Sequence, residues 1–302
     1  LDASSITGNV STGSGIDTVT LKNTSTITGD LTLGSDGDGT DGVDTLSLTA
    51  SSITGSITTG LGGDTVTLST ASSITGDVSL DSGDDTLHLA VGANSITGNV
   101  DLGSGSGDLI TYQGHEGPIS FTVNTITADS VGTGSSDLNR AGLISGTVSG
   151  YEAIIGSEAT GDSLSTGDVL IDDTGASLAI LTSNGAGTLD NLDFAAFESL
   201  RLGSGDDTLR FKGSFSVPGA LPGRADGGGV EGASYSYGIL SGGDYEDSGI
   251  DLLDYREYLA AAITVDLSQN MATGVFGGNA GGLIDSTGAE DVITTSDSSF
   301  EN

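Results

Sequence analysis

The first hundred residues alternate apolar and polar positions in short runs. In the first run the positions of one parity are Ile6, Gly8, Val10 and Thr12, and after a Gly/Ser turn Val19 and Leu21. A period of two is the spacing at which successive side chains of a β-strand point to opposite faces of a sheet. The pattern therefore predicts short strands with one apolar face and one face of Thr, Ser and Asn.

This run recurs along the chain. The phrase Ser-Ile-Thr-Gly, or a near copy of it, carries its isoleucine at Ile6, Ile27, Ile53, Ile74 and Ile96, so three of the four intervals are nearly equal and the second is longer. Each copy continues with a polar residue, then Val, Leu or Ile, a Gly/Ser/Asp turn, an Asp and a second apolar alternation. Self-similarity at such a period is typical of repeat architectures.

A single copy is too small to bury its own apolar residues. Copies that stack at the ~4.8 Å strand spacing place each isoleucine on the next and pair every backbone donor with a neighbouring copy. We therefore predict an all-β fold, a parallel β-helix or β-solenoid with coils of about 21 residues, followed by a less regular β-rich region. A β-sandwich of regular hairpins is the alternative. The predicted inward positions of the first copy are Ile6, Gly8, Val10, Thr12, Val19 and Leu21. Those of the second to fifth copies are Ile27, Leu31, Leu33, Leu46, Leu48, Ile53, Ile57, Val66, Leu68, Ile74, Val78, Leu80, Leu87, Leu89, Ile96, Val100, Leu102 and Leu109.

Composition agrees with a thin core. The 302 residues include 51 Gly, 7 Phe, 7 Tyr and no Trp, so few bulky groups are present to build the centre of a compact enzyme. The 42 Asp and Glu against 7 Lys and Arg give a net charge of −35, which disfavours nucleic acid and anionic membranes as partners and favours soluble cations. The absence of Cys excludes disulfides and thiolate zinc sites.

Each copy places an aspartate directly before its second apolar alternation. These residues are Asp17, Asp44, Asp64, Asp85 and Asp108. Stacking would align them, and two unit charges ~5 Å apart repel by roughly 3 kcal/mol at an effective dielectric of ~20. Something must neutralise or separate them. Calcium bridging successive turns is one interpretation, and capping of the turn by the aspartate through its own backbone is the other.

The longest interval, between Ile27 and Ile53, contains an acidic loop. Asp36, Asp38, Asp41 and Asp44 alternate there with Gly, which is how short loops wrap a hard cation, although an EF-hand glutamate is absent. We predict calcium at this loop. A similar turn, Gly203-Ser204-Gly205-Asp206-Asp207-Thr208-Leu209, echoes the turn at 82–87 and makes Asp206 and Asp207 further candidate ligands.

The regular register ends after Gly114, which divides the chain. We predict regular coils over 1–114, an irregular solenoid continuation over 115–216, a Gly/Pro-rich loop or hinge over 217–243 around Pro218 and Pro222, and a truncated β-rich segment over 244–302. The chain starts at Leu1 without a signal peptide, so we expect it to be a portion of a larger protein.

Several phrases resemble those of giant repeat-containing bacterial surface proteins of the RTX-like and β-strand-repeat adhesin type. They are the Gly-Ser-Gly-Asp-Asp-Thr-Leu turn, Asp251-Leu252-Leu253-Asp254-Tyr255, Ile263-Thr264-Val265-Asp266-Leu267, Ala272-Thr273-Gly274 and Phe300-Glu301-Asn302. The resemblance implies secretion to the bacterial cell surface, a β-helix or β-roll fold and calcium. The tandem Gly-Gly-x-Gly-x-Asp pattern of RTX repeats is absent, since each copy has a single Asp turn.

These observations predict a structural or adhesive segment of a secreted surface protein, in contact with other copies or segments of that protein and with extracellular glycan. A carbohydrate-binding adhesin module is the alternative, followed by a glycan-active β-helix enzyme. We expect no enzyme activity, because His88 and His115 have no paired histidine at metal spacing and are expected on the surface, and the seven basic residues are dispersed.

Overall fold

The fold is all-β, and no helix occurs among the described residues. A computed structural model describes residues 1–34, 41–117, 119–123, 126–127, 130–131, 134–136, 143–157, 169–172, 178–183, 185–197, 199–201, 208–213, 225–226, 252–258, 265–266, 271–272, 280–281 and 292–295. The chain divides into two units, Leu1–Phe121 with Thr125–Ala159, and Thr122–Asn124 with Thr160–Asn302.

The first unit is a stack of coils, each of which contributes strands to parallel sheets. The strands up to residue 157 are β1 (Ser5–Ile6), β2 (Val10–Ser11), β3 (Thr18–Lys22), β4 (Thr26–Ile27), β5 (Leu31–Thr32), β6 (Thr45–Thr49), β7 (Ser52–Ile53), β8 (Ile57–Thr58), β9 (Thr65–Ser69), β10 (Ser73–Ile74), β11 (Val78–Ser79), β12 (Thr86–Leu89), β13 (Ser95–Ile96), β14 (Val100–Asp101), β15 (Leu109–Thr111), β16 (Ser120–Val123), β17 (Ile126–Thr127), β18 (Ser130–Val131), β19 (Gly134–Ser136), β20 (Val148–Ser149) and β21 (Ala153–Ile155).

Three ladders run through this unit. The first sheet holds β1, β4, β7, β10 and β13, the second includes β2, β5, β8, β11, β14 and β20, and the third includes β3, β6, β9, β12, β15 and β21. Their pairing is parallel and keeps the repeat in register, as in Ile53↔Ile74 of the first sheet and Val66↔Leu87 of the third. Parallel pairing between copies confirms the predicted β-solenoid and rules out the sandwich of antiparallel hairpins.

The core is a set of aliphatic columns. In the second to fifth copies, all the predicted inward positions except Leu109 are at most 1% exposed. Burial of one such side chain is worth roughly 1.5–3 kcal/mol, and in a stack each is covered by its counterparts above and below. The coil at the N-terminal end is less covered, and Ile6, Val10 and Val19 are only half-buried there.

Leu109 corrects the predicted register in the fifth coil. Its neighbour Ile110 pairs with Leu87 and with Ile154 and is fully buried, whereas Leu109 pairs with Thr86 and is half-buried. Asp108 ends the turn before this strand. That turn places both Asp108 and the strand one residue later in the sequence than the apolar pattern suggested. A shift of one residue exchanges the two faces of a strand.

A glycine column forms one corner of the coil. Gly8, predicted on the inward face, lies exposed at the corner between β1 and β2, because the two strands do not form one continuous alternation. Farther along, a Cβ on Gly76 would lie 2.6 Å from both the carbonyl carbon and the oxygen of Gly55. Main-chain atoms therefore occupy the space of a side chain, which only glycine permits. The same crowding holds at Gly29, Gly55, Gly98 and Gly146.

The stacking continues beyond residue 114, through a sixth copy that the sequence pattern did not reveal. Ile144 forms a parallel bridge with Ile96, Val148 pairs with Val100, and Ile154 pairs with Ile110. The phrase Ile144-Ser145-Gly146-Thr147-Val148 is a near copy of Ile96-Thr97-Gly98-Asn99-Val100. The interval between these two copies is about twice the usual one, because an insertion with short strands of its own separates the sixth coil from the fifth.

The second unit is a less regular, mixed β region, as predicted. Two parallel ladders, β22–β26–β28–β32 and β23–β27–β29–β33, accompany an antiparallel set, β23–β24–β25. Most of the predicted hinge at 217–243 lies outside the described residues. The strands are β22 (Val169–Asp172), β23 (Leu178–Ser183), β24 (Ala186–Leu189), β25 (Leu192–Ala195), β26 (Ser199–Arg201), β27 (Thr208–Gly213), β28 (Ala225–Asp226), β29 (Leu252–Tyr258), β30 (Val265–Asp266), β31 (Met271–Ala272), β32 (Ala280–Gly281) and β33 (Val292–Thr295).

Candidate functional site, a buried aspartate ladder

The five aspartates that precede the strands of the third sheet form a continuous ladder. Each carboxyl group lies one coil away from the next, because each aspartate directly precedes a third-sheet strand that is paired in register with its neighbour. Glu152 is a sixth member, which the sequence pattern did not identify. It directly precedes β21, and an acidic residue just before an apolar strand was the signal that could have identified it.

Each carboxyl group after that of Asp17 caps a main-chain amide of the preceding coil. The backbone N–H of Asp64 donates to Oδ1 of Asp85 at 2.6 Å, and that of Asp85 donates to Oδ1 of Asp108 at 2.7 Å. The backbone N–H groups of Asp17 and Asp44 donate in the same way to the next aspartate, and that of Asp108 donates to Oε2 of Glu152 at 2.9 Å. The capping therefore acts between coils, and not within one turn as the sequence alternative assumed.

The second carboxyl oxygens of the ladder are buried without a hydrogen-bond partner. This holds for Oδ2 of Asp17, Asp44, Asp64, Asp85 and Asp108. The last four residues are at most 1% exposed, whereas Asp17, in the end coil, is half-buried. A buried, unpaired and charged oxygen is costly. In each fully buried aspartate of the ladder, one carboxyl oxygen thus accepts a main-chain hydrogen bond and the other carboxyl oxygen has no hydrogen-bond partner.

Burial raises the pKa of the four fully buried carboxyl groups, Asp44, Asp64, Asp85 and Asp108. Desolvation is the largest cause, the backbone hydrogen bond to Oδ1 opposes it, and neighbouring carboxylates add to it. The pKa of Asp85 rises to about 7 and that of Asp108 to about 6, and the pKa values of Asp44 and Asp64 are also raised. Burial therefore destabilises the charged form at all four of these positions.

The remaining predicted ligands are placed differently. Oδ1 of Asp41 accepts the N–H of Gly42 at 3.1 Å, and its Oδ2 accepts the N–H of Leu61, in the next coil, at 3.3 Å. Asp36, Asp38, Asp206 and Asp207 lie outside the described residues. Within the described ranges, no three His, Asp or Glu side chains are grouped so that they could hold a metal ion. Calcium at the acidic loop stays a prediction.

A second ladder caps the glycine corner on the exposed side. The N–H of Asp30 donates to Oδ1 of Asn9 at 3.0 Å, that of Ser56 to Oδ1 of Asp30 at 2.9 Å, and that of Asn99 to Oδ1 of Asp77 at 2.8 Å. Here each side chain accepts from the following coil, opposite to the buried ladder. Because these groups face water, the exposed ladder supplies the same kind of hydrogen bond without burying a charge.

Neither histidine forms a metal site with the other, as far as the described residues show. Nε2 of His88 lies 2.9 Å from the carbonyl oxygen of Gln113. His115 is only 8% exposed, which corrects the predicted surface position, and its backbone N–H donates to the carbonyl oxygen of Tyr112 at 2.9 Å. The rings of Phe121 and Tyr151 pack edge to face with centroids 5.4 Å apart.

Comparison with known proteins gives no relative for this chain. No protein-family model matches it, and neither a curated protein nor a solved structure matches it. Among the described residues, no helix is long and apolar enough to span a membrane. The fold and the ladder are therefore the observations from which function is argued.

Proposed function

We propose that this chain is a structural or adhesive segment of a large secreted protein at the bacterial cell surface, such as a surface fibre, a surface layer or an adhesin stalk. The observation that carries the proposal is the coil stack itself. Near-identical columns of Ile, Val and Leu continue from coil to coil, so the repeat serves to extend one parallel structure. Repeat proteins of this kind gain stability from each added interface between neighbours.

The distribution of side chains supports a scaffold. The six aromatic side chains that the structure describes, Tyr112, Phe121, Tyr151, Phe194, Phe197 and Phe211, are all buried. The outward face of the third sheet carries Thr and Ser instead, for example Thr45, Thr65 and Thr86 in one column. A face rich in hydroxyl groups suits a solvated surface that contacts other copies or segments of the same protein.

The charge supports an environment rich in cations. A net charge of −35 with a single Lys or Arg before residue 140 favours the extracellular side, where divalent cations can screen it. We propose calcium at the acidic loop around Asp36, Asp38 and Asp41, because carboxylates alternating with glycine suit its oxygen coordination. In this proposal the calcium supports the structure and does not take part in a reaction.

Surface labelling tests the proposed location. An antibody against residues 1–157 is expected to label intact cells of the source organism as strongly as permeabilised cells, and treatment of intact cells with protease should remove the signal. Labelling that requires permeabilisation would contradict the proposal.

A glycan array separates the scaffold from its alternatives. The scaffold predicts no saturable binding to any arrayed glycan. Saturable binding to one glycan class would instead favour the carbohydrate-binding module, and release of reducing ends from a bound glycan would favour the glycan-active enzyme.

A further inference from the structure

The buried aspartate ladder has no basic partner in its own coils. The sequence contains no Lys or Arg between Lys22 and Arg140, a span that includes the four fully buried ladder aspartates. Lys22 itself pairs with Asp2 on the surface, at 3.1 Å. The negative charge that ionised ladder carboxylates would carry is therefore not balanced by side chains of the stack.

The charged groups that act on the carboxyl groups of Asp85 and Asp108 are further acids. Asp85 faces Asp64 from the preceding coil, Asp108 from the following coil and Asp81 from its own turn. Asp108 faces Glu152 from the sixth coil, together with Asp84 and Asp101. Like charges at the strand spacing repel, and each of them favours the neutral form of its neighbour.

The hydrogen bonding fits a protonated carboxyl group. Oδ1 accepts a main-chain N–H and needs no charge to do so, while Oδ2 is buried without a partner. A calcium ion would need six to eight oxygen ligands at this position, whereas a proton needs only one. Among the described residues, no three acidic or histidine side chains are grouped so that they could hold a metal ion.

We propose that Asp85 and Asp108 bind protons in the folded state, so that the coil stack is a pH-dependent structure that is most stable in mild acid and loosens as the pH rises. This proposal is independent of the location and role of the protein at a cell surface. It makes the ladder a built-in response to pH, because the same residues recur in every coil and interact with one another.

The direction of the effect follows from linkage. A carboxyl group in the unfolded chain loses its proton near pH ~4, whereas burial raises the pKa of Asp85 to about 7. Between these values the folded state holds more protons than the unfolded state. The stabilisation is therefore complete below the unfolded pKa and is lost as the pH rises through the folded pKa. For Asp85 alone, a rise from pH 5 to pH 8 lowers the folding equilibrium constant by about a hundredfold.

The matched variants are Asp85→Asn and Asp77→Asn. Both replace one carboxyl group of the same coil with an amide and keep an oxygen that can accept the main-chain N–H. Asp85 is buried, whereas Asp77 is exposed in the glycine-corner ladder, where Asn9 and Asn99 already occupy equivalent positions. Urea unfolding of the full chain is measured at pH 5 and pH 8, each with EDTA and with CaCl₂.

The folding equilibrium constants of the unmodified chain and of Asp77→Asn are expected to fall from pH 5 to pH 8. The folding equilibrium constant of Asp85→Asn should fall by about a hundredfold less over the same range. An equal loss in all three proteins would overturn the proposal. A stability at pH 8 that recovers fully with calcium, and only when Asp85 is present, would also overturn the proposal, because a metal would then neutralise the ladder.

Infrared spectroscopy of the unmodified protein provides a readout that does not depend on the variants folding. The carbonyl stretch of protonated carboxyl groups should persist at pH 6 in the folded protein and disappear on unfolding in urea. Its absence at pH 6 would contradict the proposal.

Discussion

Removing one isoleucine from a core column should destabilise the stack by several kcal/mol. Ile74 is fully buried in the first sheet and pairs with Ile53 on one side and Ile96 on the other. Ile74→Ala deletes three carbon atoms, which at ~0.8 kcal/mol each corresponds to about 2.4 kcal/mol of lost transfer free energy. The cavity left between two fixed coils adds to this, so we expect about 3–4 kcal/mol in total.

Ile16→Ala is the matched control, because Ile16 is 80% exposed. The same three carbons are removed from water-accessible surface, and we expect a change below about 0.5 kcal/mol. Urea unfolding of both variants against the unmodified chain gives the two free energies.

Hydrogen exchange shows whether the damage is local. The N–H of Thr75 donates to the carbonyl oxygen of Ile53, and the N–H of Thr97 donates to that of Ile74, so these amides should exchange faster in Ile74→Ala. Equal destabilisation by Ile74→Ala and Ile16→Ala would refute the argument that the columns carry the stability of the stack.

Three further predictions concern the corners and the acidic loop. Gly76→Ala should cost about 1–3 kcal/mol in urea unfolding, because its Cβ would lie 2.6 Å from main-chain atoms of Gly55, whereas Gly107→Ala, whose Cβ would lie 3.3 Å from the Asp84 side chain, should change little. Ser72→Ala should cost about 1–2 kcal/mol, because it removes the Oγ that accepts the buried N–H of Ser51, and a thermal melt unchanged from that of the unmodified chain would contradict this. EDTA should lower the melting temperature if calcium binds the acidic loop, and an unmoved transition would remove the calcium proposal.

The apolar columns could be predicted because stacking requires each copy to repeat the last. Seventeen of the eighteen inward positions predicted for the second to fifth copies are buried, and Leu109 is the exception. In the end coil only Leu21 is buried, because no coil in the described part of the chain covers the other side. In the segment Leu109-Ile110-Thr111 both faces of the strand carry an apolar residue, so the apolar pattern does not show which face points inward. Pairing with Leu87 places Ile110 inward.

The sixth coil was harder to predict because its strands are close to the fifth coil in space and far from it in sequence. The pairs Val100↔Val148 and Ile110↔Ile154 join positions about twice as far apart as those of the earlier neighbouring coils. A search for one regular period therefore passes over a copy that an insertion has displaced. Only the hydrogen-bonded register assigns Ile144 to the isoleucine column.

The all-β class, the coil length and most of the columns follow from the amino-acid sequence, because a repeated alternation of apolar and polar residues can bury its apolar face only by stacking. The role of the aspartates follows only from the packing of one coil on the next. Whether a carboxyl group faces water or a buried amide depends on the position of the next coil, and that position is not encoded in the local pattern. The structure thus makes Asp85 buried and Asp77 exposed, although both cap a main-chain amide of a neighbouring coil.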